Sequence, residues 1–107
     1  MAVTEMSVQE LKRKHDAGED VMLLDVREPG EIATASVPFA TTIAMGLIPL
    51  RFAELPHDKP IVVMCHHGGR SERVTSFLNA NGYANAVNLT GGIDAWATEI
   101  DPSIARY

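Results

Sequence analysis

One cysteine, Cys65, is followed by His66, His67, Gly68, Gly69, Arg70 and Ser71. These residue types in this order suit nucleophilic chemistry at sulfur. The thiolate is the attacking form of cysteine, and it is favoured where backbone N–H groups and positive charge converge. Gly68 and Gly69 let the chain curl, so that successive N–H groups can point at one anion. Arg70 offers a planar fork of donors that matches an oxyanion. The residues after Ser71, Glu72 to Asn81, read as a helix whose N-terminus adds partial positive charge. Cys65 is therefore expected to be more acidic than a free cysteine and to act as a nucleophile.

The elements around this loop must hold it at a strand end. Ile61-Val62-Val63-Met64 leads into Cys65 and reads as a buried strand. Val21 to Asp25 is a second apolar run, of the kind buried on both faces in a parallel sheet. Ala86 to Leu89 reads as the last strand, and Ala2-Val3-Thr4 as a short edge strand. Ser7 and Glu10 have capping-box spacing, so a helix is expected there, with Val8 and Leu11 on one face and Gly18 at its end. Pro29 suits the first turn of another short helix. Ser36 to Ala40 is a loop around Pro38, and Thr41-Thr42-Ile43 is β-prone. Leu47, Leu50 and Leu55 suggest a further short helix, ended by the Pro56 to Pro60 punctuation. Val74, Phe77 and Leu78 give the helix after the cysteine loop an apolar face. Gly91-Gly92 breaks the last strand, Ile93 and Trp96 share a final helical turn, and Asp101 to Tyr107 is a tail. Alternation of strands and helices predicts an α/β domain with a mainly parallel sheet. Sites in such sheets lie beyond the carboxyl ends of the strands, where Cys65 falls.

Composition narrows the function classes. The chain has 107 residues, which suits one domain, with a core over about 7–98 and a tail over 101–107. Nine basic residues against fourteen acidic ones give a net charge of −5, which argues against a nucleic-acid or anionic-membrane surface. One cysteine excludes an internal disulfide and a cysteine-only zinc site. No run approaches the ~20 apolar residues of a membrane span. No basic start followed by an apolar run marks a signal peptide, so a reducing cytoplasm is expected.

Three stretches together carry a resemblance: Leu24-Asp25-Val26-Arg27-Glu28-Pro29, Cys65-His66-His67-Gly68-Gly69-Arg70-Ser71, and Asn88-Leu89-Thr90-Gly91-Gly92-Ile93 with Trp96. In order and spacing they resemble the single-domain rhodaneses, from about Ser7 to Trp96. The resemblance implies a five-stranded parallel sheet with helices on both faces. It also implies transfer of sulfane sulfur through a persulfide on Cys65. One stretch departs from the family: Ala35-Ser36-Val37-Pro38-Phe39-Ala40 lacks the usual histidine and glycines, so the wall beside the site is open to another path.

Sulfur transfer needs an attacking thiolate, donors that stabilise the persulfide anion, and a cation for an anionic donor. Cys65, the N–H groups of His66 through Ser71, and Arg70 answer these in turn. The implied reaction takes sulfur from a donor such as thiosulfate to cyanide, a thiol or a protein. A sulfur-relay or protein-binding module with little small-molecule turnover is the alternative. A phosphatase or arsenate reductase fits less well, because the interval between Cys65 and Arg70 holds four residues where the phosphatase loop has five. No cofactor is expected, and no metal: adjacent histidines on a tight loop rarely converge on one ion. Asp25 and Arg27 read as a structural ion pair, and Trp96 as core.

Overall fold

All four residues of Ile61–Met64 are apolar and fully buried, which a strand can tolerate only in the middle of a sheet covered on both faces. The computed structural model, which describes residues 3–107, places it there. Five strands form one parallel sheet: β1 (Glu5–Met6), β2 (Met22–Asp25), β3 (Ala40–Thr42), β4 (Ile61–Met64) and β5 (Ala86–Leu89). Their order across the sheet is β1-β5-β4-β2-β3. Asp25 lies beside Met64, and Val63 beside Asn88, so the ends of β2, β4 and β5 open onto one region.

Strand alternation divides the core in two. Leu24, Ile61, Val63 and Ala86 face one way and pack with Ile48, Leu55, Val74, Leu78 and Tyr83. This layer is covered by α3 (Ile48–Arg51) and α4 (Gly69–Ala80). Leu23, Val62, Met64 and Leu89 face the other way, with Val8, Leu11, Ile93 and Trp96. Those come from α1 (Val8–Asp16) and α5 (Gly92–Glu99). A short α2 (Pro29–Thr34) follows β2 and stands near its carboxyl end. Among the described residues, no helix is long and apolar enough to cross a membrane.

Several local expectations hold and others are corrected. Ser7 caps α1 by accepting from the Glu10 N–H at 3.1 Å, and Gly18 follows the helix in a left-handed conformation. The edge strand is Glu5–Met6 and not 2–4; Ala2 lies outside the described residues, and the Thr4 carbonyl still accepts from the Asn88 N–H at 2.9 Å. Helix α4 begins at Gly69, two residues before Ser71, because Gly68 at φ 117° turns the chain without a capping side chain. Helix α5 is a full eight residues. The apolar stretch from Leu47 to Leu55 is not one helix. It is a 3-10 turn, α3 and a second 3-10 turn, with Leu50 82% exposed and Ile48 and Leu55 buried instead. The divergent 35–40 stretch is packed: Phe39 stacks on His15 at 3.8 Å between centroids and meets Trp96 edge-on at 5.7 Å.

Candidate active site

Cys65 follows the last residue of β4, beneath the turn that starts α4. The left-handed turn at Gly68 aims that residue's N–H at the cysteine sulfur, 3.1 Å away. The N–H groups of Arg70 and Ser71 face the sulfur too, and the Ser71 hydroxyl lies 3.4 Å from it. Burial pushes the thiol up. The Ser71 hydroxyl and the N–H groups of Ser71, Gly68 and Arg70 together outweigh burial, so Cys65 is held below its ordinary value. The same four donors would stabilise a persulfide anion extended by one sulfur.

Two glycine-dependent contacts fix this loop from outside. The N–H groups of Ile93 and Asp94, at the start of α5, donate to the carbonyls of Cys65 and His66 at 2.9 and 3.1 Å. Gly92 sits against those same carbonyls, where an added Cβ would come within 2.5 Å of both oxygens. The Gly91-Gly92 break after β5 is therefore the buttress of the cysteine loop. Asn88, on β5, completes the support. Its amide donates to the Glu5 carboxylate at 3.2 Å and to the Gly68 carbonyl at 3.3 Å. Its oxygen accepts from the Ser71 hydroxyl at 2.5 Å. Ser71 has one hydroxyl hydrogen and two acceptors, Asn88 and the cysteine sulfur, so ionisation of Cys65 draws that hydrogen toward sulfur.

The sulfur lies at the floor of a cleft of about 370 Å³ lined by Cys65, His66, His67, Gly69, Arg70 and Arg73. Cys65 as a residue is only 1% exposed, so a reactant must reach it end-on with a small atom. His66 stacks on His67 and on Tyr107, with centroids 4.0 Å apart in each case. Its Nε2 is buried without a hydrogen-bond partner, and burial followed by the neighbouring His67 keeps the ring below the usual histidine range. His67 is exposed and points its Nε2 toward Asp94 at 3.9 Å. His66, His67 and Asp94 thus approach one another more closely than their sequence spacing suggests, with potential ligand atoms within 4.8 Å. Arg106 already holds the Asp94 carboxylate at 3.0 Å.

Arg70 is where sequence reasoning was least complete. Its fork is engaged by Glu31, Nη1 to Oε1 at 2.7 Å and Nη2 to Oε2 at 2.8 Å. Tyr107 Oη donates to Glu31 Oε2 at 2.8 Å, so the residues read as a simple tail return to the site. Behind them, Arg27 is fully buried against Asp25, donating through Nε and Nη2 at 2.7–3.2 Å. Arg27 also donates to the Ala35 carbonyl at 2.8 Å and to Tyr107 Oη at 2.9 Å. Asn88 stands in one of the stretches quoted above but without a role there, and Glu31 and Tyr107 carry no local signal: their contacts with Arg70 and with each other span 39 and 76 residues, while Asn88 meets Ser71 across 17.

The loop, its buttress and the buried Asp25–Arg27 pair correspond to the three sequence stretches singled out above. Residues 7–99 match the rhodanese-like domain. This chain belongs to that family. A sulfurtransferase of Allochromatium vinosum is 40% identical over 103 residues, covering 96% of both chains. Among solved structures, a rhodanese-related protein from Thermoplasma volcanium superposes with a TM-score of 0.84 at 30% identity, covering 97% of this chain and 99% of that one. A rhodanese-like domain protein from Staphylococcus aureus gives 0.84 at 32% identity, covering 97% and 98%. The five-stranded parallel sheet and its two helical layers are the rhodanese-like arrangement.

Proposed function

We propose that this rhodanese-like protein is a sulfurtransferase that carries sulfane sulfur as a persulfide on Cys65. The observation that carries this reading is the convergence of the Gly68, Arg70 and Ser71 N–H groups and the Ser71 hydroxyl on one buried sulfur. The relative of Allochromatium vinosum, named a sulfurtransferase, supports sulfur transfer as the general activity.

In the first half-reaction the Cys65 thiolate attacks the outer sulfur of a donor such as thiosulfate. A new S–S bond forms at Sγ, the donor's S–S bond breaks, and sulfite leaves with the bonding pair. The persulfide anion takes the place of the thiolate among the loop donors. In the second half-reaction a thiophilic acceptor attacks the outer sulfur and Cys65 leaves as the thiolate again. Cyanide serves as the acceptor in an assay, and a thiol or a protein thiol in the cell. Cys65 is the one thiol in the chain, so nothing internal collapses the persulfide to a disulfide. A reducing compartment such as the cytoplasm suits a lone reactive thiol. His66, His67, Gly69 and Arg70 line the cleft that receives donor and acceptor.

Cys65→Ser tests the reading. Thiosulfate:cyanide sulfur transfer is expected to vanish while the circular dichroism spectrum is retained, because a serine hydroxyl is a poor nucleophile at neutral pH. Appreciable turnover by the folded serine variant would overturn it.

A further inference from the structure

The persulfide cycle does not require Glu31, yet its carboxylate is bound from every side. Arg70 donates to both oxygens, the Glu28 N–H donates to Oε1 at 3.1 Å, and Tyr107 Oη donates to Oε2. Arg27 donates to Tyr107 Oη, which leaves the phenol hydrogen for Glu31. The Arg70 hydrogen bonds, first among these, hold Glu31 down at about 2, so it is ionised at neutral pH. An arginine fork grips one planar anion bidentately at a time. The group best placed to hold an anionic donor is therefore already neutralised. Arg73 remains exposed at the cleft and leaves some attraction for anions.

We propose that Glu31 is a specificity-determining residue: held by Tyr107, it occupies the Arg70 fork and turns the cleft away from dianionic sulfur donors toward sulfur carried on an uncharged organic persulfide. The inference rests on Cys65 as the sulfur carrier. A dianion such as thiosulfate must either sit beside the Glu31 charge or displace it from its donors. A hydropersulfide R–S–SH with an uncharged R group meets neither obstacle. Its transfer is balanced without a further reactant. The Cys65 thiolate bonds to the outer sulfur of the protonated, uncharged R–S–SH form, the donor's S–S bond breaks, and R–S⁻ departs with the electron pair. The proton stays with the transferred sulfur and is then lost to water.

The test is the ratio of persulfide-formation rate constants for two donors, thiosulfate and the hydropersulfide of 2-mercaptoethanol generated in situ, followed by mass spectrometry of Cys65. Because it is a ratio, any general loss of active protein cancels. Glu31→Gln keeps the shape and removes the charge. It is expected to raise the thiosulfate rate about tenfold and to leave the neutral donor within about twofold. Tyr107→Phe removes one of the donors that hold Glu31 and is expected to shift the ratio the same way by about threefold. Glu31→Asp keeps the charge and should leave the ratio close to that of the wild type. If both donors load Cys65 and Glu31→Gln leaves the ratio unchanged or lowers it, the inference falls and Glu31 only positions Arg70. If neither donor loads Cys65 in the wild-type protein, the persulfide reading itself falls and takes the inference with it.

Discussion

Two arginine–carboxylate pairs stand side by side at the carboxyl end of the sheet, joined through Tyr107, and they behave as opposites. Arg27 and Asp25 are both completely removed from solvent. Every arm of the Arg27 guanidinium is used: on Asp25, on the carbonyls of Glu31 and Ala35, and on Tyr107. Arg70 and Glu31 make an equally close pair, yet their side chains are 32% and 23% exposed at the cleft. Burial decides the difference. A charge pair without access to water cannot be opened without stranding an ion, whereas a pair at a wetted rim can exchange one partner for a ligand. The first pair therefore anchors the divergent 35–40 wall to β2. The second is adjustable and faces the chemistry.

The largest effect is expected from breaking the buried pair. Arg27→Ala leaves the Asp25 carboxyl group in the core without its partner, and should lower the unfolding free energy by about 3–5 kcal/mol. The midpoint of urea denaturation measures it. A loss below about 1 kcal/mol would mean that Asp25 finds other donors and that the two pairs are not opposites after all.

Removing Arg70 should move function instead of stability. Arg70→Ala is expected to cost less than Arg27→Ala in the same denaturation experiment, because its pair stands at a wetted rim. It should slow persulfide formation from thiosulfate by about tenfold, because a dianion that displaces Glu31 from the fork then finds no charge-assisted contact there. Discharge of a preloaded persulfide to cyanide should change little, since cyanide offers nothing for the fork to grip. Arg70→Lys keeps the charge without the fork and should restore only part of the loss. In the Arg70→Ala background the effect of Glu31→Gln on thiosulfate should shrink, which sharpens the assignment of both to one contact.

The smallest effect is a pH dependence. The folded state lowers Glu31 from 4.5 to about 2, chiefly through the hydrogen bonds from Arg70. A depressed carboxyl contributes its stability in full above its unfolded value and loses it as pH falls through the folded value. The stability difference between wild type and Glu31→Gln should therefore be constant above about pH 4.5. It should shrink steadily as the pH falls from there toward about 2. Thermal unfolding of the two proteins across that range checks it. A difference that grows on acidification would contradict the pairing.

How much of this was legible in the chain depends on how local the cause is. The cap at Ser7, the span of β5 and the strand-to-loop order at Cys65 are written in neighbouring residues, and they stand as read. The start of α4 was misplaced because a left-handed glycine cap leaves no side-chain signature. Leu47 and Leu50 suggested an apolar face, but Gly46 and Pro49 break the stretch into short turns that bury Ile48 and Leu55 instead. The sulfur's donors lie on its own loop and were foreseeable. Glu31 reaches Arg70, and Tyr107 reaches both Glu31 and His66, only through the sheet's closure, and no spacing rule announces contacts across 39 or 76 residues.

The direct measurement of the central claim is the mass of the Cys65 peptide before and after exposure to a sulfane-sulfur donor, and again after cyanide. The account predicts one added sulfur atom on Cys65 after the donor, and its loss to cyanide with one thiocyanate released per protein. Turnover without sulfur on Cys65, or sulfur that cyanide does not remove, would contradict it.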